Sequence, residues 1–189
     1  MEIYESNTSI TVNRLNTVRT TEIQNGDQIR VGHYTATCQR VTPNGALFLL
    51  DQYLDQGYPM NRKNSNKGGY EKSDLRKTLQ SDEVLEIFAD WRERMVPFDN
   101  GDLLRIPFHG EIFGQEDAEY FEPDGCEQWP LLKDLKNRSA FRKNSWEGGW
   151  LQNKRKGSAT KFAIVLPSGS ADCLGTLIPY GVRPAFLIN

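Results

Sequence analysis

The chain has little of what most catalytic and structural-metal sites are made from. Three cysteines stand far apart, at Cys38, Cys126 and Cys173, and no two form a C-x-x-C pair. That argues against a disulfide framework and against a structural zinc site. Buried thiols acting as small apolar side chains are the expectation. Only two histidines occur, His33 and His109, with no second histidine or carboxylate at metal-ligand spacing around them. A nucleophile-elbow Gly-x-Ser-x-Gly, a P-loop and a dinucleotide-binding glycine pattern are all missing. No run approaches the ~18 apolar residues that a membrane-spanning helix needs. The N-terminus carries Glu2, Glu5 and Asn7 without an apolar core. It is therefore not read as a signal peptide, and the expected location is the cytoplasm or a phage particle. The net charge of −2 excludes a mainly electrostatic nucleic-acid binder.

What the chain does contain is glycine, proline and aromatic residues. Sixteen Gly, nine Pro and twenty Trp, Tyr and Phe favour a β-rich fold with many turns over a helical bundle. At 189 residues it can bury roughly 70% of its unfolded surface without staples. We expect one domain over 23–189, preceded by an N-terminal arm at 1–22 that either pairs with a partner chain, driving homo-oligomerisation, or extends without regular structure.

Hydrophobic patterning organises the rest. Gln28–Gly32, Tyr34–Val41 and Ala46–Leu50 read as an antiparallel three-stranded meander, the last an unbroken apolar run buried on both faces. Residues 53–70 read as a long loop, with mobility its simplest property. Ser73 and Ser81 are placed to cap two helices. Val84, Leu85, Phe88, Trp91 and Met95 fall at helical spacing and mark the buried face of the second, which gives Trp91 a structural role. A strand is expected over Leu103–Phe108, a short helix over Glu116–Phe121, and a third helix over Leu131–Asn137 behind Pro130. Phe162, Ile164 and Leu166 alternate as a strand. Leu177–Ile188 forms the last one, broken, bulged or at an edge because Pro179 and Pro184 cannot donate to a ladder.

The candidate site residues cluster near the C-terminus. Trp146, Trp150 and Tyr180 could stack against a sugar or another flat ligand, with Gly148 and Gly149 permitting close approach; both tryptophans could equally be core. Asn153, Lys154 and Arg155 extend this surface as a polar and basic segment that could meet an acidic group, with 61–70 beside it. Arg183 lies between Val182 and Pro184 in an apolar strand. Its guanidinium fork either holds a loop through carbonyls or a carboxylate, the preferred reading, or faces a ligand. The acidic stretch of Glu116, Asp117, Glu119, Glu122, Asp124 and Glu127 offers oxygen ligands for calcium but lacks the order of a calcium loop. No cofactor is expected otherwise.

The order Gly26-Asp27-Gln28-Ile29 with Gly32, then Ser73-Asp74-Leu75-Arg76-Lys77, Trp150-Leu151, Phe162–Val165 with Gly169, and the closing Tyr180–Phe186 string Y-G-V-R-P-A-F resembles a bacterial and phage family, domain of unknown function six-two-seven-three. Where that family usually has W-W-L-R-S, this chain has Gly149-Trp150-Leu151-Gln152-Asn153. More distantly the ending is similar to C-type-lectin-like domains, including formylglycine-generating enzymes and phage variable receptor-binding proteins. The resemblance implies an α+β, C-type-lectin-like domain with small antiparallel sheets, two or three helices and long loops. The family has no established activity; the leading expectation is a non-enzymatic ligand-binding or adhesion-type module, surface- or prophage-associated by the resemblance, with a glycan or protein ligand and neither nucleic acid nor membrane as partner. Two alternatives stand beside it: an enzyme whose site assembles from His109, Cys173 and the acidic residues, and a structural subunit of an oligomer. The paired active-site cysteines of formylglycine-generating enzymes have no counterpart near Cys173.

Overall fold

The computed structural model describes residues 23–189; the expected arm at 1–22 lies outside the described residues. The fold is mixed α+β, with mostly antiparallel sheets and few helices. Its ten strands are β1 (Gln28–Val31), β2 (Tyr34–Thr42), β3 (Gly45–Leu50), β4 (Met95–Val96), β5 (Ala140–Arg142), β6 (Ser145–Glu147), β7 (Gly149–Lys154), β8 (Lys161–Val165), β9 (Ala171–Gly175) and β10 (Ala185–Ile188). Three α-helices join them: α1 (Asp74–Leu79), α2 (Asp82–Leu85) and α3 (His109–Phe113).

The five-stranded sheet has the order β1-β2-β3-β10-β4. The unbroken apolar run of β3 takes the centre, because only a strand covered on both faces can bury every side chain. Phe48 pairs with Phe186 of β10 and the two rings stack at 5.8 Å. Alternation splits β3 between two cores. Ala46, Phe48 and Leu50 pack with Leu75, Leu79, Phe88, Trp150 and Phe162. Leu47 and Leu49 pack with Ile112, Phe113, Trp129, Leu132 and Leu151 on the other side.

A three-stranded sheet, β7-β8-β9, and a β5-β6 hairpin complete the fold. The glycine pair between β6 and β7 is a steric necessity. A Cβ at Gly149 would lie 2.2 Å from Tyr53 Cε1, and one at Gly148 2.1 Å from the Val165 carbonyl oxygen.

Several expectations need correction. Ser73 caps α1, accepting the Arg76 N–H at 3.0 Å, but the Ser81 hydroxyl donates to Thr78 O and caps nothing. The second helix is a single α-turn, followed by a 3-10 segment over Glu86–Arg94 with a kink at Phe88. Trp91 is consequently only half-buried, packing on the core's edge and donating its indole N–H to Arg30 O at 2.7 Å. The segments after Asp117 and Trp129 form 3-10 turns, at Ala118–Tyr120, Pro130–Lys133 and Leu135–Asn137, too short to hold an α-helix. Leu103–Phe108 makes one isolated bridge, Arg105 to Ala185, instead of a strand. The 53–70 loop is tied down: Asn66 is buried and donates to Ser158 O and Lys161 O, while Asn61 accepts the Asp74 N–H at 2.9 Å. Pro184 confines the last strand to Ala185–Ile188.

Candidate ligand-binding cleft

The alternation along β2 fails at one residue, and that residue leads to the site. Tyr34, Ala36 and Cys38 face the first core. Register with β3 then shifts, from Cys38 opposite Phe48 to Arg40 opposite Leu47, leaving Gln39 as the extra residue of a bulge. Bulges re-aim a side chain, and this one buries Gln39 to 2% exposure. Its Nε2 donates to Thr37 O at 3.0 Å. Its Oε1 accepts no hydrogen bond from the described residues.

Gln39 is part of the lining of a cleft of about 420 Å³, within the range of small-ligand sites. Thr35 and Thr37 line the same wall from β2, with Gln28 from β1 and Asp51 and Gln52 just past β3. Asp51 is held by neutral donors: Thr37 Oγ1 at 2.6 Å and Gln28 Nε2 at 3.1 Å. Gln52 is locked to Thr35 through both ends of its amide, at 3.1 and 3.2 Å. The lining also has apolar members. Leu131 and Leu132 come from the 3-10 turn, and Phe141 and Trp146 from the β5-β6 hairpin. These two rings face each other across the hairpin register, 4.0 Å apart, and are 40% and 49% exposed. Lys136 and Asn137 close one end.

Arg183 also lines the cleft, at 8% exposure. Its Nε donates to Leu50 O at 2.5 Å, and its Nη1 to Asn137 O at 2.9 Å and Arg138 O at 3.4 Å. It thereby pins the end of β3 to the turn before β5. Burial holds its pKa below the usual arginine value, with Tyr53 and Asp51 acting in the opposite direction.

The other residues singled out by sequence are dispersed. Trp150 is 1% exposed and donates its indole N–H to Tyr58 O at 2.8 Å. Tyr180 meets it edge to face at 5.9 Å. The exposed platform expected of Trp146, Trp150 and Tyr180 is therefore not formed: Trp150 faces the core while Trp146 sits on the cleft. Asn153 is buried as well, accepting the His109 N–H at 2.6 Å and donating to Glu122 O and Asp124 Oδ2 at 2.8 Å each. Lys154 pairs with Glu122 at 2.9 Å, and Arg155 lies 5.5 Å over Tyr120. Neither reaches the cleft lining. The residues sequence reasoning missed are Gln39, Asp51 and Phe141. The available signal was the polar face Thr35-x-Thr37-x-Gln39 running into Asp51-Gln52 after an apolar strand.

No protein-family model, curated protein or solved structure matches the chain.

A second, smaller cavity of about 170 Å³ surrounds His109. The imidazole packs between Phe113 and Phe121, at 4.9 and 4.6 Å, and its Nε2 is buried without a partner among the described residues. Burial lowers its pKa, while the nearby acids Asp124, Asp117 and Glu116 resist that shift. Cys126 lies in the same cavity, its thiol pushed up to about 12 chiefly by burial, with Glu111 and Asp124 adding to it. A thiol held protonated in this way is a poor nucleophile. Cys173 sits apart on β9, opposite Ala163, and no hydrogen bond joins it to His109. The acidic stretch is divided among protein partners. Glu116 holds Arg138 at 2.8 Å, and Asp124 accepts the N–H groups of Gly110 and Cys126. Among the described residues, no group of three or more His, Cys, Asp or Glu is arranged to hold a metal ion. No described helix is long and apolar enough to cross a membrane.

Proposed function

We propose that the protein is a saccharide-binding module and that the cleft between β2 and the β5-β6 hairpin is its binding site. One observation carries the reading: an exposed aromatic pair, Phe141 and Trp146, lines the same cleft as amides, hydroxyls and one carboxylate, among them the buried Gln39 Oε1, which has no partner among the described residues. Sugars need both halves of this arrangement. Their C–H faces lie flat on aromatic rings, and their hydroxyls exchange hydrogen bonds with side chains that both donate and accept. A buried acceptor left empty costs free energy, which a ligand hydroxyl would recover.

The lining supports binding over hydrolysis. Asp51 is the one carboxylate among the described residues of the cleft, whereas glycoside hydrolysis ordinarily uses two flanking the bond. A C-type-lectin-like architecture suits the short sheets, the pinned long loops and the C-terminal strand β10 seated centrally between β3 and β4. On this reading the sugar site is calcium-independent, built from side-chain amides. The resemblance of the closing motif to the bacterial and phage family fits a prophage or cell-surface setting for such a module.

The test is a glycan-array screen of the full chain alongside Trp146→Ala. The exposed ring can be removed without opening the core, so the variant should fold and lose the glycans that the parent retains. A folded variant with an unchanged binding profile would remove the cleft from consideration.

A further inference from the structure

Arg183 differs from the other arginines that fold back onto the protein. Arg76 holds Asp102 at 2.6 Å, Arg105 holds Glu111 at 2.6 Å, Arg138 holds Glu116 at 2.8 Å and Arg142 holds Glu147 at 2.6 Å. Arg183 is as buried as Arg138, yet no carboxylate lies within ion-pair distance of it among the described residues. Its Nε and Nη1 are committed to backbone carbonyls. Its Nη2 donates to none of the described residues, and the residue lines the cleft. Buried charges are ordinarily paired, because an isolated one forfeits its hydration without compensation. Asp51, in the same cleft, acts on the guanidinium only through space, and no described carboxylate forms a direct ion pair with it.

Resting on the saccharide reading, we infer that the cleft takes an acidic sugar, its carboxylate seated on the Nη2 edge of Arg183. Three features of the lining favour this ligand class. Lys136 adds a second cation at the end of the cleft, its ammonium exposed and 3.0 Å from Asp134. Asp51 is bound by neutral groups alone, so its remaining lone pairs accept hydroxyl donors. Its charge also disfavours a dianion such as phosphate in the same cleft. Gln39 Oε1 requires a donor, which a carboxylate lacks and a sugar hydroxyl provides. A uronic acid carries one negative charge and several hydroxyl donors on a single ring, and so serves all three groups at once.

The experiment leaves Arg183 intact, since its backbone bonds make substitution a folding problem. The full chain is titrated with methyl galactosiduronate, which carries one carboxylate, and with its methyl ester, by calorimetry and amide-resolved NMR, with acetate and inorganic phosphate as competitors. The acid is expected to bind at least about ten-fold more tightly than the ester, the scale of one charge-assisted hydrogen bond, and to weaken as salt is raised. Equal binding of acid and ester overturns the acidic-sugar inference and leaves the saccharide reading standing. Binding of neither, or acetate or phosphate binding as tightly as the uronide, also overturns the acidic-sugar inference, and the glycan array then decides the saccharide reading by itself.

Discussion

Arg105 and Glu111 form a two-pronged ion pair inside the protein, Nη1 to Oε2 at 2.7 Å and Nη2 to Oε1 at 2.6 Å. The guanidinium lies over the Phe98 ring at 4.7 Å, with Phe108 and Trp129 nearby, and Glu111 also accepts the Phe108 N–H that opens α3. The pair couples the segment crossing β10 to the helix beneath the second core. Removing one partner strands the other charge in an apolar cage. Glu111→Ala should therefore cost about 3–5 kcal/mol, read as a lowered urea midpoint with unchanged slope. A loss below about 1 kcal/mol would mean that water reaches Arg105.

The two tryptophans of the closing segment should separate cleanly by stability. Trp150 is enclosed by the first core and bonded to Tyr58 O, so Trp150→Ala should cost about 3–5 kcal/mol. Trp146 touches chiefly Phe141, and Trp146→Ala should cost about 0.5–1.5 kcal/mol, the worth of an aromatic pair. Thermal unfolding of the two variants side by side decides it. Equal losses would place Trp146 in the core.

That contrast shows where sequence reasoning works here. The meander was legible because β3 is apolar throughout and β2 alternates over its first half. Ser73 was legible because a cap is a local device. Trp146 and Trp150 were not distinguishable, since their burial depends on which side of a glycine pair each one falls. Gln39 was hidden for a related reason. A bulge is a matter of register between two strands, and nothing in β2 alone announces it. The short 3-10 turns were lost because their apolar spacing imitates that of a helix. Arg183 was conspicuous from its apolar neighbours, but the placing of its Nη2 edge depends on carbonyls more than forty residues away.

His109 makes stability depend on pH in a definite direction. Burial favours its neutral form in the folded state, so its pKa lies below the value in the unfolded chain. As pH falls through the unfolded value, near 6.5, the unfolded chain takes up a proton that the folded one refuses. Stability contributed by this group is complete above that pH and declines below it, until the folded pKa is reached. Denaturant midpoints should thus fall between about pH 6.5 and pH 5, ahead of carboxylate protonation, and His109→Phe should flatten that slope. An equal slope in the variant would assign the decline to another group.

Gln39 offers a test that separates function from structure. A buried carbonyl oxygen without a donor weakens the folded state, whereas an apolar side chain of similar volume would not. Gln39→Met keeps the length of the side chain and its place in the bulge while removing the unsatisfied acceptor. The amide donation to Thr37 O is lost with it, a bond worth about 0.5–1.5 kcal/mol. The variant should accordingly melt within a few degrees of the parent, or slightly above it. If the acceptor is there for a ligand hydroxyl, binding should fall sharply in the same variant, because a site built around a hydrogen bond penalises its absence more than folding does. Such a pairing, stability kept and affinity lost, is what a residue retained for binding produces. Were the variant instead strongly destabilised, Gln39 would be holding the β2 bulge together, and its unpartnered oxygen would carry no functional meaning.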